Sequence, residues 1–230
     1  MDQKTYNLLE TYMLQNAGDS AHDREHIYRV LHNALAIART EENVNYDILI
    51  TACLLHDVGR PEQFADPKVC HAEAGSEKAY YFLIENGFSA EFADQVRHCI
   101  LTHRFRVARP PQSLEAKILF DADKLDVTGA LGIARTLQYK ATTGDPLYLV
   151  GEDGTVSNGE NDPVSSFFRE YHFKLKNLYD RFYTAAGKAM AEDHRKIAED
   201  FYLALYNEIA PGYAEGQQSL AAVFERGENE

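Results

Sequence analysis

The segment LLHDVGR, residues 54–60, ends the most apolar run of the chain on an imidazole beside a carboxylate, His56 and Asp57. Other polar groups interrupt apolar stripes in the same way. His26 stands where its helical face would otherwise carry Leu, and His103 closes the face formed by Phe92, Val96 and Ile100. Asp123 belongs to the segment whose stripe is Leu119, Ala122, Asp126, Ala130 and Ile133, but Ile118, Asp121 and Leu125 form a rival stripe there, so periodicity leaves Asp121 and Asp123 both open as ligands. A carboxylate buried without a partner costs several kcal/mol, comparable to the stability of a small domain. These groups therefore need partners, through separate local hydrogen bonds or through convergence on one cation. Two imidazoles with two carboxylates suit a borderline divalent transition metal. Neighbouring His and Asp side chains reach one ion most readily at a helix end, where they need not diverge by about 100°. Gly59 and Pro61 put a helix end there.

Helical periodicity supplies the elements that must position these groups. Tyr6, Leu9 and Met13 predict a helix over 2–16, and His26, Val30, Ala34, Ile37 and Ala38 predict one over 23–39. Asp47 can cap the next helix, whose interior ILITACLL is apolar nearly all round and therefore central to a bundle. A fourth helix covers 72–86 and a fifth follows Ser89 as cap. Ser113 opens a sixth, read as continuous through LEAKILFDADKLDVTGALGIARTL, in which GALGIAR either packs through small residues or brings Arg135 to the site. Residues 142–165, rich in Gly, Asp and Asn, predict a long excursion with a small hairpin where LYLV turns through GEDG. Two long helices, 164–185 and 187–209, follow. The expected fold is all-α: one helical domain over 1–212 with an insertion at 142–165, then a segment 213–230 whose tail, ERGENE, is disordered.

A net charge of −13 over 230 residues argues against a general nucleic-acid or membrane-surface coat. A local basic patch still suits a small anionic substrate, and RFRVAR places Arg104, Arg106 and Arg109 within six positions. Cys53, Cys70 and Cys99 form no CxxC pair and read as buried thiols of a reducing compartment. With no apolar leader or membrane-length stretch in the sequence, the expected location is cytoplasmic.

HDREHIYRV at 22–30, LLHDVGR at 54–60 and DADKLD at 121–126, in that order, resemble the HD-domain superfamily of metal-dependent phosphohydrolases. GIAR at 132–135 and the stretch Tyr171 to Leu175 are similar to segments of its compact bacterial members. The resemblance implies a single HD-domain helical bundle with His26, His56, Asp57 and Asp123 as metal ligands. His22 then faces substrate or lies behind the ligands, and Asp121 orients a histidine. His71 and His103 offer ligands to a second ion, His103 being preferred to His98 because it shares the apolar face of its helix. The cofactor implied is one or two divalent ions, with Mn, Mg, Fe, Co, Ni and Zn all admissible. Such an ion lowers the pKa of bound water and polarises a phosphoryl oxygen. Asp57 and His56 then serve catalysis, Lys124 contacts substrate phosphate, and Arg60 joins Arg104, Arg106 and Arg109 as anion-facing groups. The expected activity is hydrolysis of a small phosphorylated compound, a nucleotide or related phosphoester. The same ligands also suit a metal-bearing regulatory or binding module without turnover, or a di-iron oxygenase. An oligomer is compatible with the sequence.

Overall fold

In the computed structural model, which describes residues 1–16, 24–104 and 109–227, the chain is all-α, and its one β feature among the described residues is an isolated antiparallel bridge between Val150 and Val156. The chain divides into two compact units, residues 1–126 with 181–190 and residues 127–180 with 191–230.

The first unit holds α1 (Gln3–Asn16), α2 (Arg24–Ala38), α3 (Tyr46–Leu55), α4 (Arg60–Ala65), α5 (His71–Glu85), α6 (Ala90–Thr102) and α7 (Leu114–Leu125). The apolar helix α3 is its centre, packed against α1, α2, α6 and α7. Leu49, Ala52, Cys53, Leu54 and Leu55 have no solvent exposure. Each large apolar side chain removed from water there stabilises by about 1.5–3 kcal/mol. The cap of α3 is Asn45 in place of Asp47. Its extended backbone lets its side-chain oxygen accept the N–H groups of Asp47 and Ile48. Ser89 and Ser113 cap α6 and α7 as expected, accepting from the N–H of Phe92 and Ala116.

The short helix α4 is not anticipated by periodicity. Gly59 and Pro61 make a corner instead of a terminus, because Pro in the first turn of a helix lacks only an N–H that would be unpaired anyway. The corner presses onto α5: a Cβ at Gly59 would lie 2.3 Å from the His71 carbonyl oxygen and 2.4 Å from the Gly75 nitrogen. That backbone approach sets the first residue of α5 beside the end of α3.

The second unit contains α8 (Gly129–Thr143), α9 (Phe167–Phe173) and most of α10 (Ala185–Gly227). The helix expected to run continuously from Ser113 breaks at Asp126–Thr128. Gly129 adopts the left-handed region, φ +58°, and Gly132 packs where a Cβ would lie 2.3 Å from the Val127 carbonyl. The helix expected over 164–185 is also shorter: α9 gives way to 3-10 turns at Leu175–Asn177 and Tyr179–Arg181. By contrast α10 passes through Pro211 to Gly227, well beyond 209, so the first part of ERGENE is helical and its last three residues lie outside the described residues. Pro211 is tolerated because Asn207, whose carbonyl loses its partner, faces solvent. The hairpin in the excursion is present: Gly151 donates to the Thr155 carbonyl at 2.8 Å and Ser157 to the Leu149 carbonyl at 2.9 Å. Tyr202 on α10 ties the excursion down by donating to the Asn158 carbonyl at 2.7 Å. Among the described residues no helix is long and apolar enough to cross a membrane.

Candidate metal centre

Five elements of the first unit bring chemistry to one place. His26 comes from α2, His56 and Asp57 follow the end of α3, His71 begins α5, His103 follows α6, and Asp123 lies in the last turn of α7. All are buried except Asp123, whose side chain keeps 15% exposure and is the solvent-facing member.

Each imidazole is aimed by what its Nδ1 touches. His26 Nδ1 meets Asp126 Oδ2 at 2.7 Å, His56 Nδ1 the Cys53 carbonyl at 2.7 Å, His71 Nδ1 Gln63 Oε1 at 3.0 Å and His103 Nδ1 the Ile100 carbonyl at 2.6 Å. All four partners are acceptors, so Nδ1 donates and the Nε2 lone pair turns inward. Inside, His26 Nε2 is 3.4 Å from His56 Nε2, 3.4 Å from Asp123 Oδ1 and 3.6 Å from Asp57 Oδ2. The other oxygen, Asp57 Oδ1, is 3.6 Å from His71 Nε2 and 3.9 Å from His103 Nε2.

Two groups result, His26, His56 and Asp123, then Asp57, His71 and His103, each with ligand atoms within 4.8 Å of one another. Asp57 directs one oxygen at each. Two ligands about 2.1 Å from one tetrahedral or octahedral ion stand roughly 3.0–3.4 Å apart, so these spacings need little contraction to hold a cation. Two further observations fit one. Two nitrogen lone pairs at 3.4 Å have no proton to share, and Asp57 Oδ2 is buried with no hydrogen-bond partner among the described residues.

The protonation states agree with ligand duty. Burial, opposed by Asp57, lowers the His56 pKa. Burial likewise lowers His71 to about 2 and His103 to about 4, so each keeps its lone pair. Burial by itself would raise both carboxylates. That push is outweighed only jointly, by Arg60 with the imidazoles of His56, His71 and His26 around Asp57, and by Lys124 with those of His26, His103 and His56 around Asp123, which together hold each carboxyl well below the usual range.

The surrounding groups sort differently from expectation. Asp126, not Asp121, backs a histidine, and it is itself held by Arg29 through Nε at 2.6 Å and Nη2 at 3.1 Å. Asp121 accepts instead from the N–H groups of Tyr183 and Thr184 and from the Thr184 hydroxyl, at the start of α10, and burial raises its pKa. Arg60 donates to Asp57 Oδ1 at 2.9 Å and to Gln63 Oε1 at 2.9 Å. Lys124 donates to Asp123 and, at 3.2 Å, to the His103 carbonyl. Arg104 donates to Cys70 Sγ at 3.1 Å beside His71, whereas Arg109 pairs with Glu73 at 3.1 Å with half its side chain in solvent. Cys70, expected as a buried thiol, is therefore half-buried, whereas Cys53 and Cys99 are buried. His22 and Arg106 lie outside the described residues. Sequence reasoning missed Asp126 and Gln63. Asp126 left a trace, three residues after Asp123 and paired with the arginine of HxxR.

The HD-domain family model matches residues 24–128, a span that includes every residue of both groups. The chain is 32% identical over 198 residues to the uncharacterized protein YpgQ of Bacillus subtilis, an alignment covering 84% of this chain and 86% of YpgQ. The crystal structure of B. subtilis YpgQ in complex with ADP is similar at TM-score 0.68 and 29% identity, over 90% of this chain and 99% of that one. An HD-superfamily hydrolase from Bacillus thuringiensis is similar at TM-score 0.66 and 30% identity, over 90% and 97% respectively.

Proposed function

The chain belongs to the HD-domain family, and from that premise we propose that it is a metal-dependent phosphohydrolase acting on a small phosphorylated compound, a nucleotide or related phosphoester. The observation that carries this reading is Asp57, a buried carboxylate with one oxygen facing His26 and His56 and the other facing His71 and His103. ADP in the YpgQ structure supports the substrate class, and the description of similar structures as HD-superfamily hydrolases supports the reaction type.

His26, His56, Asp57 and Asp123 would hold one divalent ion, and Asp57, His71 and His103 a second. When bound, such an ion supplies a water acidic enough to deprotonate near neutral pH and a positive charge for the phosphoryl oxygens. The protein's own groups do the rest. Asp57 and His56 orient the centre and keep it free of competing protons. Lys124 spends two of its three protons on Asp123 and the His103 carbonyl, so the third is available to a phosphoryl oxygen. Arg60 and Arg104 add positive charge on the side of His71, where an anionic substrate is stabilised.

The test is metal content of the purified protein, then turnover of a panel of nucleoside mono-, di- and triphosphates and simple phosphoesters with each divalent ion. Phosphate release should depend on the metal and fall more than a hundredfold in Asp57→Ala and His56→Ala. Undiminished turnover in Asp57→Ala overturns the proposal.

A further inference from the structure

The two halves of the centre are built with opposite charge. Around His26 and His56 stand three carboxylates, Asp57, Asp123 and Asp126, against two cations, Lys124 and Arg29. Around His71 and His103 stand two carboxylates, Asp57 and Asp123, against three cations, Arg60, Arg104 and Lys124. His56 and His103 both lean on backbone carbonyls, and the remaining imidazole of each half differs in the same sense as the charge. His26 leans on a carboxylate, which raises its basicity as a ligand, whereas His71 leans on the neutral amide of Gln63.

Arg60 is the decisive group. Its Nε sits 2.9 Å from Asp57 Oδ1, the oxygen that also faces His71 at 3.6 Å and His103 at 3.9 Å. Its Nη1 is fixed at 2.9 Å by Gln63 Oε1, the atom that aims His71, so the guanidinium is held where it stands. The six-residue helix α4 carries both Arg60 and Gln63.

We propose that Arg60 acts as an internal substitute for a second cation: by occupying Asp57 Oδ1 it keeps the His71–His103 half weak, so that the centre loads one ion tightly and the second only at much higher metal concentration. The inference rests on the metal reading given above and adds an order of loading and a residue that sets it. Two like charges on one carboxylate oxygen repel strongly in a buried site, where the effective dielectric is far below that of water. An ion entering the second half must therefore displace Arg60 from Asp57, and the released guanidinium is then available to a phosphoryl oxygen.

The experiment titrates metal-free protein with Mn²⁺ and reads free Mn²⁺ by electron paramagnetic resonance, a measurement independent of turnover. The wild-type protein should bind one ion tightly and a second at least a hundredfold more weakly. Arg60→Gln should tighten the second event about tenfold or more and leave the first within about threefold, which also reports that the site is folded. Arg60→Lys, which keeps the positive charge, should stay close to wild type. His71→Ala in the Arg60→Gln background should remove the second event. An unchanged or weakened second event in Arg60→Gln overturns the proposal, as does equal tightening in Arg60→Lys or a second event that survives His71→Ala. Absence of any tight ion in the wild-type protein, or a first event unaffected by His56→Ala, sinks the metal reading itself.

Discussion

Replacing Asp126 by Ala tests whether a residue outside the ligand sphere governs the centre. Asp126 is 1% exposed, and its Oδ2 lies 2.7 Å from His26 Nδ1. Removal takes this charged acceptor from a buried N–H, a loss of about 1–3 kcal/mol in the stability of the metal-free protein. Arg29 loses its carboxylate too, but its side chain is 37% exposed and water takes over most of those bonds. For metal binding the loss is separate. Without the carboxylate, the His26 ring is free to rotate or change tautomer, and its Nε2 becomes less basic. Partners of this kind are worth about 10–100-fold in affinity, or about 1.4–2.8 kcal/mol at 1.4 kcal/mol per decade. Asp126→Asn keeps an acceptor oxygen and loses only the charge, so it should fall nearer the tenfold end. Competition with a chromophoric chelator measures both, while urea unfolding of the metal-free protein reads the stability term. An Asp126→Ala affinity within threefold of wild type would show that Nδ1 bonding does not aim His26.

Four other outcomes follow from the geometry. Asp121→Ala should lose about 1–3 kcal/mol of stability, since it takes the carboxylate from the N–H groups of Tyr183 and Thr184 and from the Thr184 hydroxyl that caps α10, yet leave metal affinity unchanged; a large fall in affinity would return Asp121 to the centre. Gly59→Ala sets a methyl 2.3 Å from the His71 carbonyl and should cost about 1–3 kcal/mol, with loss of the second ion; an unaltered melting temperature refutes that contact. Stability of the metal-free protein should depend on pH through the buried histidines. His103 and His71 have folded pKa values of about 4 and about 2, while the unfolded chain protonates near 6.5. The unfolded state then binds more protons between those values, so stability is complete above about pH 6.5 and declines as pH falls towards 4. A flat urea midpoint from pH 7 to 5 would exclude it. Last, a divalent ion at a hundredfold its Kd should stabilise the protein by about 2.7 kcal/mol, and a chelator should reverse the gain.

Much of this arrangement is legible in the sequence, because burial makes the polar residues conspicuous. An imidazole on an apolar stripe needs a partner, and His26, His56 and Asp57 stand out that way, whereas Asp123 is singled out from the three carboxylates of DADKLD only by the family resemblance. Asp126 did not stand out, because a carboxylate three residues from a ligand looks like one more member of the same helical face. The chain direction of α7 makes it visible only once His26 is known to lie opposite. The helix breaks were hidden for a related reason. Val127–Gly129 has no proline, and the left-handed turn at Gly129 is a matter of one φ angle that hydrophobic period cannot register. Gly59 and Pro61 announced a stop but not that the chain would start a new helix at once, since the close approach to Gly75 is a tertiary contact. The last helix departs in the opposite direction, running past 209 and through Pro211, whose missing N–H frees a carbonyl that faces solvent.

Because Asp57 serves both imidazole pairs, it is a single point of failure, and losing it disables the entire assembly in one step. His71 and His103 are not shared in that way. Editing them offers a route to a variant whose two halves are uncoupled, so that what each half contributes can be read separately.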